Sequence, residues 1–475
     1  ICFSAWVLNG VLVTFLASNQ LFNWSLIEIG WLMGIPILAG AAFRLPAGIL
    51  TDKYGGKPIF IGLLLLCSIP MFLLSYAQSF VFYAICSFGF GLVGVSFSIG
   101  IAATSVWYPK QNQGTALGIF GAGNAGAALT TFLVPSVLSN LTQSGIENWR
   151  LLPKLYAMIL VGVALIYFIS ADNKIIGSTD KTLSNILKPL KNSRVWRFGL
   201  YYFLVFGCFV AFSQWLVPYF VNVYYLPLVT AGILASLFSF PSGIIRAFGG
   251  WLSDRLGARK VMYWILGLSV AISFMLIIPK MQIYSPGQGI MAKADGTVTK
   301  ISKTEIIVDD MHYSLANKSH ALKVYSDELL VFPTKEVWQE PVVLVGQKVT
   351  KRMLLAKGVT KIFFQANVWI FAILVIILGS VWGIGKAAVY KFIPDYFPND
   401  VGVVGGMVGV LGGLGGFVCP IIFGYLLETT GLWTSCWMFM LLISVLCLLW
   451  LNKAATRVME KKYPSYKHLI DDSEK

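Results

Sequence analysis

The chain has 475 residues, 57% of them hydrophobic and only 12% charged, with a net charge of +15 and a mean hydropathy of +0.74. Soluble domains carry about 25% charged residues, so half that fraction cannot cover soluble domains of this total length, and a bilayer is the solvent that fits the composition. The basic excess does not signal nucleic-acid binding, because Lys and Arg fall in short loops between apolar runs rather than on a stripe with interleaved aromatics.

Crossing roughly 30 Å of hydrocarbon takes about 20 apolar residues. Twelve such spans are expected, at 1–18, 26–50, 58–77, 80–106, 113–139, 155–171, 197–221, 228–252, 260–279, 364–389, 401–427 and 432–452. The first opens on Ile1 with no initiator Met, and further residues are expected ahead of it. The implied organisation is an N-terminal six-helix half (1–172), a cytoplasmic linker (173–196), helices seven to nine (197–280), an insertion (281–361), helices ten to twelve (362–452) and a cytoplasmic tail (453–475). All seven Cys lie in apolar segments without metal-ligand spacing, and no metal or cofactor is expected.

Orientation follows from the basic residues at the span ends. One alternate set of loops holds Lys53, Lys57, Lys110, the basic cluster at 174–197, Arg255, Arg259, Lys260 and Lys391, joined by the basic tail. The opposite short loops hold only Arg150 and Lys154. The first set and both termini are therefore expected in the cytoplasm, in a multi-pass protein of the cytoplasmic (inner) membrane. The insertion, between spans nine and ten, falls outside. Its strand-forming runs at Gly296–Ile301, Glu305–Val308, Leu329–Phe332 and Pro341–Val345 predict a small β-rich module. The turn at Gly346–Val349 resembles barrel-sandwich domains of the lipoyl or biotinyl type, but their modified-lysine motif is missing, so no prosthetic group is inferred. Asn317-Lys-Ser319 fits a glycosylation pattern that chance explains equally well.

The two halves repeat. Arg44, Gly48, Leu50, Thr51, Asp52, Lys53, Gly55 and Lys57 recur 202 residues later as Arg246, Gly250, Leu252, Ser253, Asp254, Arg255, Gly257 and Arg259. Gly114, Gly118 and Gly121 recur 288 residues later as Gly402, Gly406 and Gly409, and the growth of the offset by 86 is close to the length of the insertion. Six helices per half resembles the major facilitator superfamily. The segments Asp52–Lys57 and Asp254–Arg259 resemble its cytoplasmic loop motif, in which Asp52 and Asp254 pair with basic groups and the Gly permits a tight turn. The fold expected is thus an all-α membrane protein of twelve helices, with the β-rich module between helices nine and ten.

Arg44 and Arg246 each lie eight residues before their loop Asp, about 12 Å along the helix. A charge at that depth either snorkels to the headgroups or marks a functional site. The repeat-matched pair favours a site on the pseudo-two-fold axis. Asp52, Asp254 and Asp395 belong to the cytoplasmic ends and Glu28 and Glu428 to the outer side, so no intramembrane carboxylate neutralises the pair; the counter-charge is expected to be the substrate, and a guanidinium fork suits a planar oxyanion. Spans five and eleven are rich in Gly, among them Gly121, Gly123, Gly126, Gly409, Gly412 and Gly413. Such density serves ordinary helix packing, sliding helices, or close approach of backbone to a small ligand.

Two segments carry a narrower resemblance. Gln113-Gly-Thr-Ala-Leu-Gly-Ile-Phe-Gly-Ala-Gly-Asn-Ala-Gly126 and Gly405-Gly-Met-Val-Gly-Val-Leu-Gly-Gly-Leu-Gly-Gly-Phe417 are similar to the two signatures of the nitrate/nitrite porter family. The likeness covers all twelve spans but not 281–361. It implies alternating-access transport of nitrate or nitrite, with Arg44 and Arg246 clamping the anion and Asn124 hydrogen-bonding it. It further implies Tyr202 and Phe206 on span seven and Phe97 on span four as aromatics of the site, positions that core packing alone would also explain. Lys386 follows Gly383-Ile-Gly385, where exchanger-type members carry Asn. It either snorkels to the interface or faces the pathway, where it would take up a proton as the anion enters and lose it as the anion leaves, favouring proton symport over nitrate/nitrite antiport. A permease of another small anion, or a membrane sensor using the insertion, remains open. An enzyme is the weakest reading, since the spans hold no His, acidic pair or nucleotide loop.

Overall fold

The computed structural model describes residues 1–108, 116, 119–175, 188–277, 281–316, 334–364, 367–397 and 401–462. They fall in two compact units, Ile1–Ile277 with Ala372–Lys475, and Ile278–Phe371.

The first unit is a helical bundle. Among the described residues, eleven of its helices are long and apolar enough to cross a membrane, preceded by a shorter apolar helix, α1 (Cys2–Ser18). In chain order the eleven are α2 (Leu26–Ala42 and Arg44–Tyr54, on either side of Phe43), α3 (Gly56–Tyr76), α4 (Phe80–Thr104), α5 (Ile119–Ser144), α6 (Ile146–Ser170), α7 (Ser193–Tyr224), α8 (Leu228–Leu256), α9 (Ala258–Leu276) and α10 (Val368–Tyr396), then α11 (Val401–Thr430) and α12 (Ser435–Lys462). Eleven of the twelve expected spans are these long helices, and the first coincides with the shorter α1, interrupted at Val7. The part of span five before Ile119 lies outside the described residues, Ala116 excepted.

Local sequence sets the helix ends. α2 starts with a capping box, in which Ser25 Oγ accepts from Glu28 N–H and Glu28 accepts from Ser25 N–H. α2 and α8 end on Gly55 and Gly257, a repeat-related pair that both adopt φ 85°, a conformation costly for any residue with a Cβ. Asp254 in this loop motif pairs with Lys391 of α10 at 2.7 Å; the side chain of Asp52 lies outside the described residues.

The halves meet unevenly along the helices. Nearly all contact between α2 and α11 falls on the Leu26–Ala42 part of α2. There a Cβ on Gly30 would sit 2.5 Å from Pro420 O, and one on Gly34 2.6 Å from Phe417 O. α1 and α7 approach equally closely, with Gly10 against the Gln214 backbone, and α5 and α8 with Gly232 against Thr131 O. Toward the opposite end, nothing lies within 4 Å of a Cβ on Gly48, Gly250 or Gly406. Among the described residues, the halves pack most closely at the end that carries Ser25 and Thr430, and these three glycines, toward the end that carries Gly55 and Gly257, have open space beside them.

The second unit is a small all-antiparallel β module. β1 (Met281–Met291), β7 (Leu354–Phe364) and β5 (Thr334–Pro341) form one sheet in the order β1-β7-β5. β2 (Gly296–Ile301), β3 (Glu305–Val308), β4 (Met311–Ser314) and β6 (Lys348–Val349) form another in the order β4-β3-β2-β6. Val298, Ile306, Val308, Tyr313, Val349 and Leu355 are among its core residues. Two expected strands, Gly296–Ile301 and Glu305–Val308, are present. The run expected at Pro341–Val345 is not a strand: regular pairing with β7 ends at Pro341, one further bond runs from Val342 N–H to Leu355 O, and the chain turns at Gly346, φ 84°, with Gln347 Oε1 accepting from Leu344 N–H. Leu329–Phe332 and Asn317–Ser319 lie outside the described residues.

Candidate functional site

Arg44 sits at the break in α2, only 5% exposed. Its Nη1 donates to Gly409 O of α11 at 2.8 Å, a charge-assisted bond from one half of the repeat to the other. Its guanidinium lies over three rings, at 5.4 Å from Trp6, 5.8 Å from Phe97 and 5.6 Å from Phe206. Such contacts offset part of the desolvation of a buried cation. Arg44 Nε is buried without a hydrogen-bond partner.

Arg246, on α8, stands on the same ring. Its guanidinium is 5.8 Å from Phe97 and 5.7 Å from Tyr390, and its buried Nη1 has no hydrogen-bond partner. Phe97 therefore joins the two cations. Among the described residues neither Arg pairs with a carboxylate. A bond left unmade by a buried charged donor is costly, and here donors of both guanidinium groups are left unmade around one aromatic ring.

The glycines repeat this symmetry. A Cβ on Gly121 would lie 3.7 Å from Arg246 Nη1, and one on Gly409 would lie 3.7 Å from Arg44 Nη1. Each arginine thus faces the repeat-related glycine of the other half. Gly413 also adjoins Arg44, with a Cβ at 3.7 Å from Nη1, whereas a Cβ on Gly412 would overlap the Tyr202 ring. Gly126 instead packs on α1 at Ser4 N, and Gly123 has open space beside it. Asn124, in a tight turn at Ala122–Ala125, is 2% exposed, and its Nδ2 is buried without a partner.

Tyr202 and Phe206 stack at 4.9 Å with their planes 6° apart. The π-helical turn at Phe203–Cys208 begins between them, a local distortion that α-helices often carry at functional sites. Lys386 is fully buried. Its ammonium lies 3.1 Å from the centroid of the Phe209 ring, donates to Ser242 Oγ at 2.9 Å and is within Coulombic reach of Arg246. It does not reach the interface in this state.

Several residues of the site escape sequence reasoning. Tyr390 forms a T-shaped pair with Tyr202 at 5.0 Å, flanks Arg246, and donates to Gly405 O at 3.3 Å. Its position one turn after Lys386 on α10 is the signal that could have found it. Trp6, whose Nε1 donates to Pro36 O at 2.8 Å, could not be told from any other apolar span residue. Gln214 lies fully buried in the α1–α7 seam, with neither amide atom hydrogen-bonded; a lone amide in an apolar span was the available signal.

The sequence profile of the Major Facilitator Superfamily matches residues 1–292 and 353–467 and leaves out most of the β module. The chain is 36% identical over 484 aligned residues to the probable nitrate/nitrite antiporter NarK1 of Thermus thermophilus, covering 99% of this chain and 92% of that protein. It is 26% identical to the probable nitrate transporter NarT of Staphylococcus carnosus, covering 89% and 85%, and 24% identical to the nitrite extrusion protein of Bacillus subtilis, covering 90% and 85%. Among solved structures, the nucleoside transporter NupG aligns with a TM-score of 0.59 at 13% identity over 95% of this chain and 97% of its own. A bacterial homologue of the lysosomal transporter Spinster aligns with a TM-score of 0.60 at 13% identity over 96% and 95%.

Proposed function

Because the chain belongs to the Major Facilitator Superfamily, we propose that it carries nitrate or nitrite across the cytoplasmic membrane by alternating access, with both termini inside. One observation carries this reading. Two repeat-related guanidinium groups, without a carboxylate partner among the described residues, flank Phe97 with donors left over. A planar monoanion between them would supply the missing counter-charge and accept paired N–H bonds. Asn124 Nδ2, buried without a partner, is a further donor in this reading. The rings of Phe97, Tyr202 and Phe206 exclude water and strengthen those bonds.

In this reading the basic loops put the end that carries Gly55 and Gly257 in the cytoplasm, and the close packing of the halves at the opposite end supports an inward-open state. The anion lets the cations approach each other, and so favours the occluded state that an empty, self-repelling site disfavours. The Arg44–Gly409 bond already links the halves at this level. The glycines of α5 and α11 let backbone close on the small substrate.

Lys386 supplies the coupling in this reading. An anion between the guanidinium groups favours its protonated form, and departure of the anion favours the neutral form, in which Ser242 and the Phe209 ring still surround the amine. One proton then travels with one nitrate.

The test is uptake of labelled nitrate by proteoliposomes holding the purified chain, with nitrite, chlorate and formate as competitors. Inhibition by nitrite and chlorate but not formate is expected. Competition by formate alone would assign the chain to organic anions instead.

A further inference from the structure

Arg197 and Tyr201 stand one turn apart on α7, with Tyr201 fully buried. Arg197 Nε and the Tyr201 hydroxyl are both buried without hydrogen-bond partners. They line a narrow recess that shares Arg259, Phe392 and Tyr396 with a cleft of about 650 Å³ at the ends of α8, α9 and α10. None of the lining residues belongs to the anion site.

Charge and shape narrow the occupant. Arg194, Arg197, Arg259 and Lys260 gather here, with Arg194 over the Tyr396 ring at 5.2 Å and Arg259 Nη2 donating to Tyr396 Oη at 3.0 Å. Asp395 is the carboxylate on the wall, and Asp254 nearby is taken up by Lys391. Cations therefore predominate. The volume far exceeds what a small oxyanion fills, and part of the wall is apolar, with Phe392 shared by cleft and recess and Leu451 in the recess. Next to wall residues Tyr263 and Leu451, Trp264 on α9 and Trp450 on α12 are 65% and 38% exposed. An amphiphile with an anionic head fits this combination. Basic pockets between the cytoplasmic ends of membrane helices bind such headgroups.

We propose that this cleft is a binding site for an anionic phospholipid. Its phosphate is held by Arg259 and Lys260, with the charge of Arg197 behind them in the recess, and an acyl chain lies along the exposed apolar faces of α9 and α12. Tyr202, which stacks in the anion site, directly follows Tyr201. A bound headgroup ties the start of α7 to the α8–α9 loop and to α10, and so braces the C-terminal half.

Phospholipid retention by the purified full chain tests this, read by native mass spectrometry after exchange from nanodiscs of phosphatidylcholine with or without phosphatidylglycerol. The wild-type chain is expected to keep phosphatidylglycerol in preference to phosphatidylcholine and to unfold at a higher temperature with it. An R197Q/R259Q variant is expected to hold it roughly 30-fold less tightly, at about 1 kcal/mol per basic residue. Equal retention of the two lipids by the wild-type chain overturns the proposal without recourse to any variant. Displacement of phosphatidylglycerol by millimolar inorganic phosphate or nitrate would assign the cleft to free oxyanions and overturn the lipid reading.

Discussion

Replacing Arg44 or Arg246 by Lys keeps the charge and removes the planar fork. For Arg44 the consequences can be worked through. Its Nη1 is engaged by Gly409 O at 2.8 Å, and its guanidinium is fixed over Trp6, Phe97 and Phe206. A lysine ammonium can keep the backbone bond or meet the anion, but its single charged atom cannot reproduce two parallel bonds. One charge-assisted hydrogen bond is worth about 1.5–3 kcal/mol, which is roughly 10- to 150-fold in anion affinity. Arg246→Lys leaves the Gly409 bond intact, so its whole deficit should fall on the anion. The assay is the concentration dependence of labelled nitrate uptake in proteoliposomes, with the unfolding temperature as a check on the fold. Both variants should fold, and both should show half-saturation raised by at least tenfold or no measurable uptake. Near-normal uptake by either Lys variant would refute the clamp.

Three further outcomes follow from the geometry. Lys386→Asn should abolish nitrate accumulation driven by a pH gradient while exchange persists, measured with and without an imposed gradient; unchanged pH-driven uptake would place the coupling elsewhere. Gly412→Ala puts a methyl group into the Tyr202 ring, and overpacking of that kind costs about 1–3 kcal/mol; uptake should fall with the unfolding temperature lowered, and wild-type values of both would mean that the stack on Phe206 is not required. Replacing 283–358 by a Gly/Ser linker should leave nitrate flux intact, because the helical repeat is complete without it; lost flux in a well-folded deletion would give the module a gating role.

The membrane bundle was legible because its signals are long. Apolar runs, loop charges and a repeat offset each extend over tens of residues, and they give the twelve helices and the arginine pair. Gly55 and Gly257 were legible as turns because only glycine takes φ 85° cheaply. In the β module the short strand signals gave a mixed outcome: Gly296–Ile301 and Glu305–Val308 are strands as expected. Pro341–Val345 has strand composition, yet pairing with β7 stops once Val342 N–H has bonded Leu355 O, and Gly346 then turns the chain. β1 and β7 went unseen since their glycines and lysines interrupt the apolar alternation, while their mutual pairing, from Met281–Phe364 to Met291–Leu354, joins residues far apart in sequence. The contribution of Trp6 and Tyr390 to the site depends on which face of a uniformly apolar helix turns inward, and composition does not encode that.

The most direct test of the central claim is the initial rate of labelled nitrate entry into proteoliposomes bearing the wild-type chain, compared with the Arg44→Ala/Arg246→Ala double variant at equal reconstitution. Saturable entry through the wild-type chain is expected, and none above empty liposomes through the double variant. Equal rates through the two would contradict it.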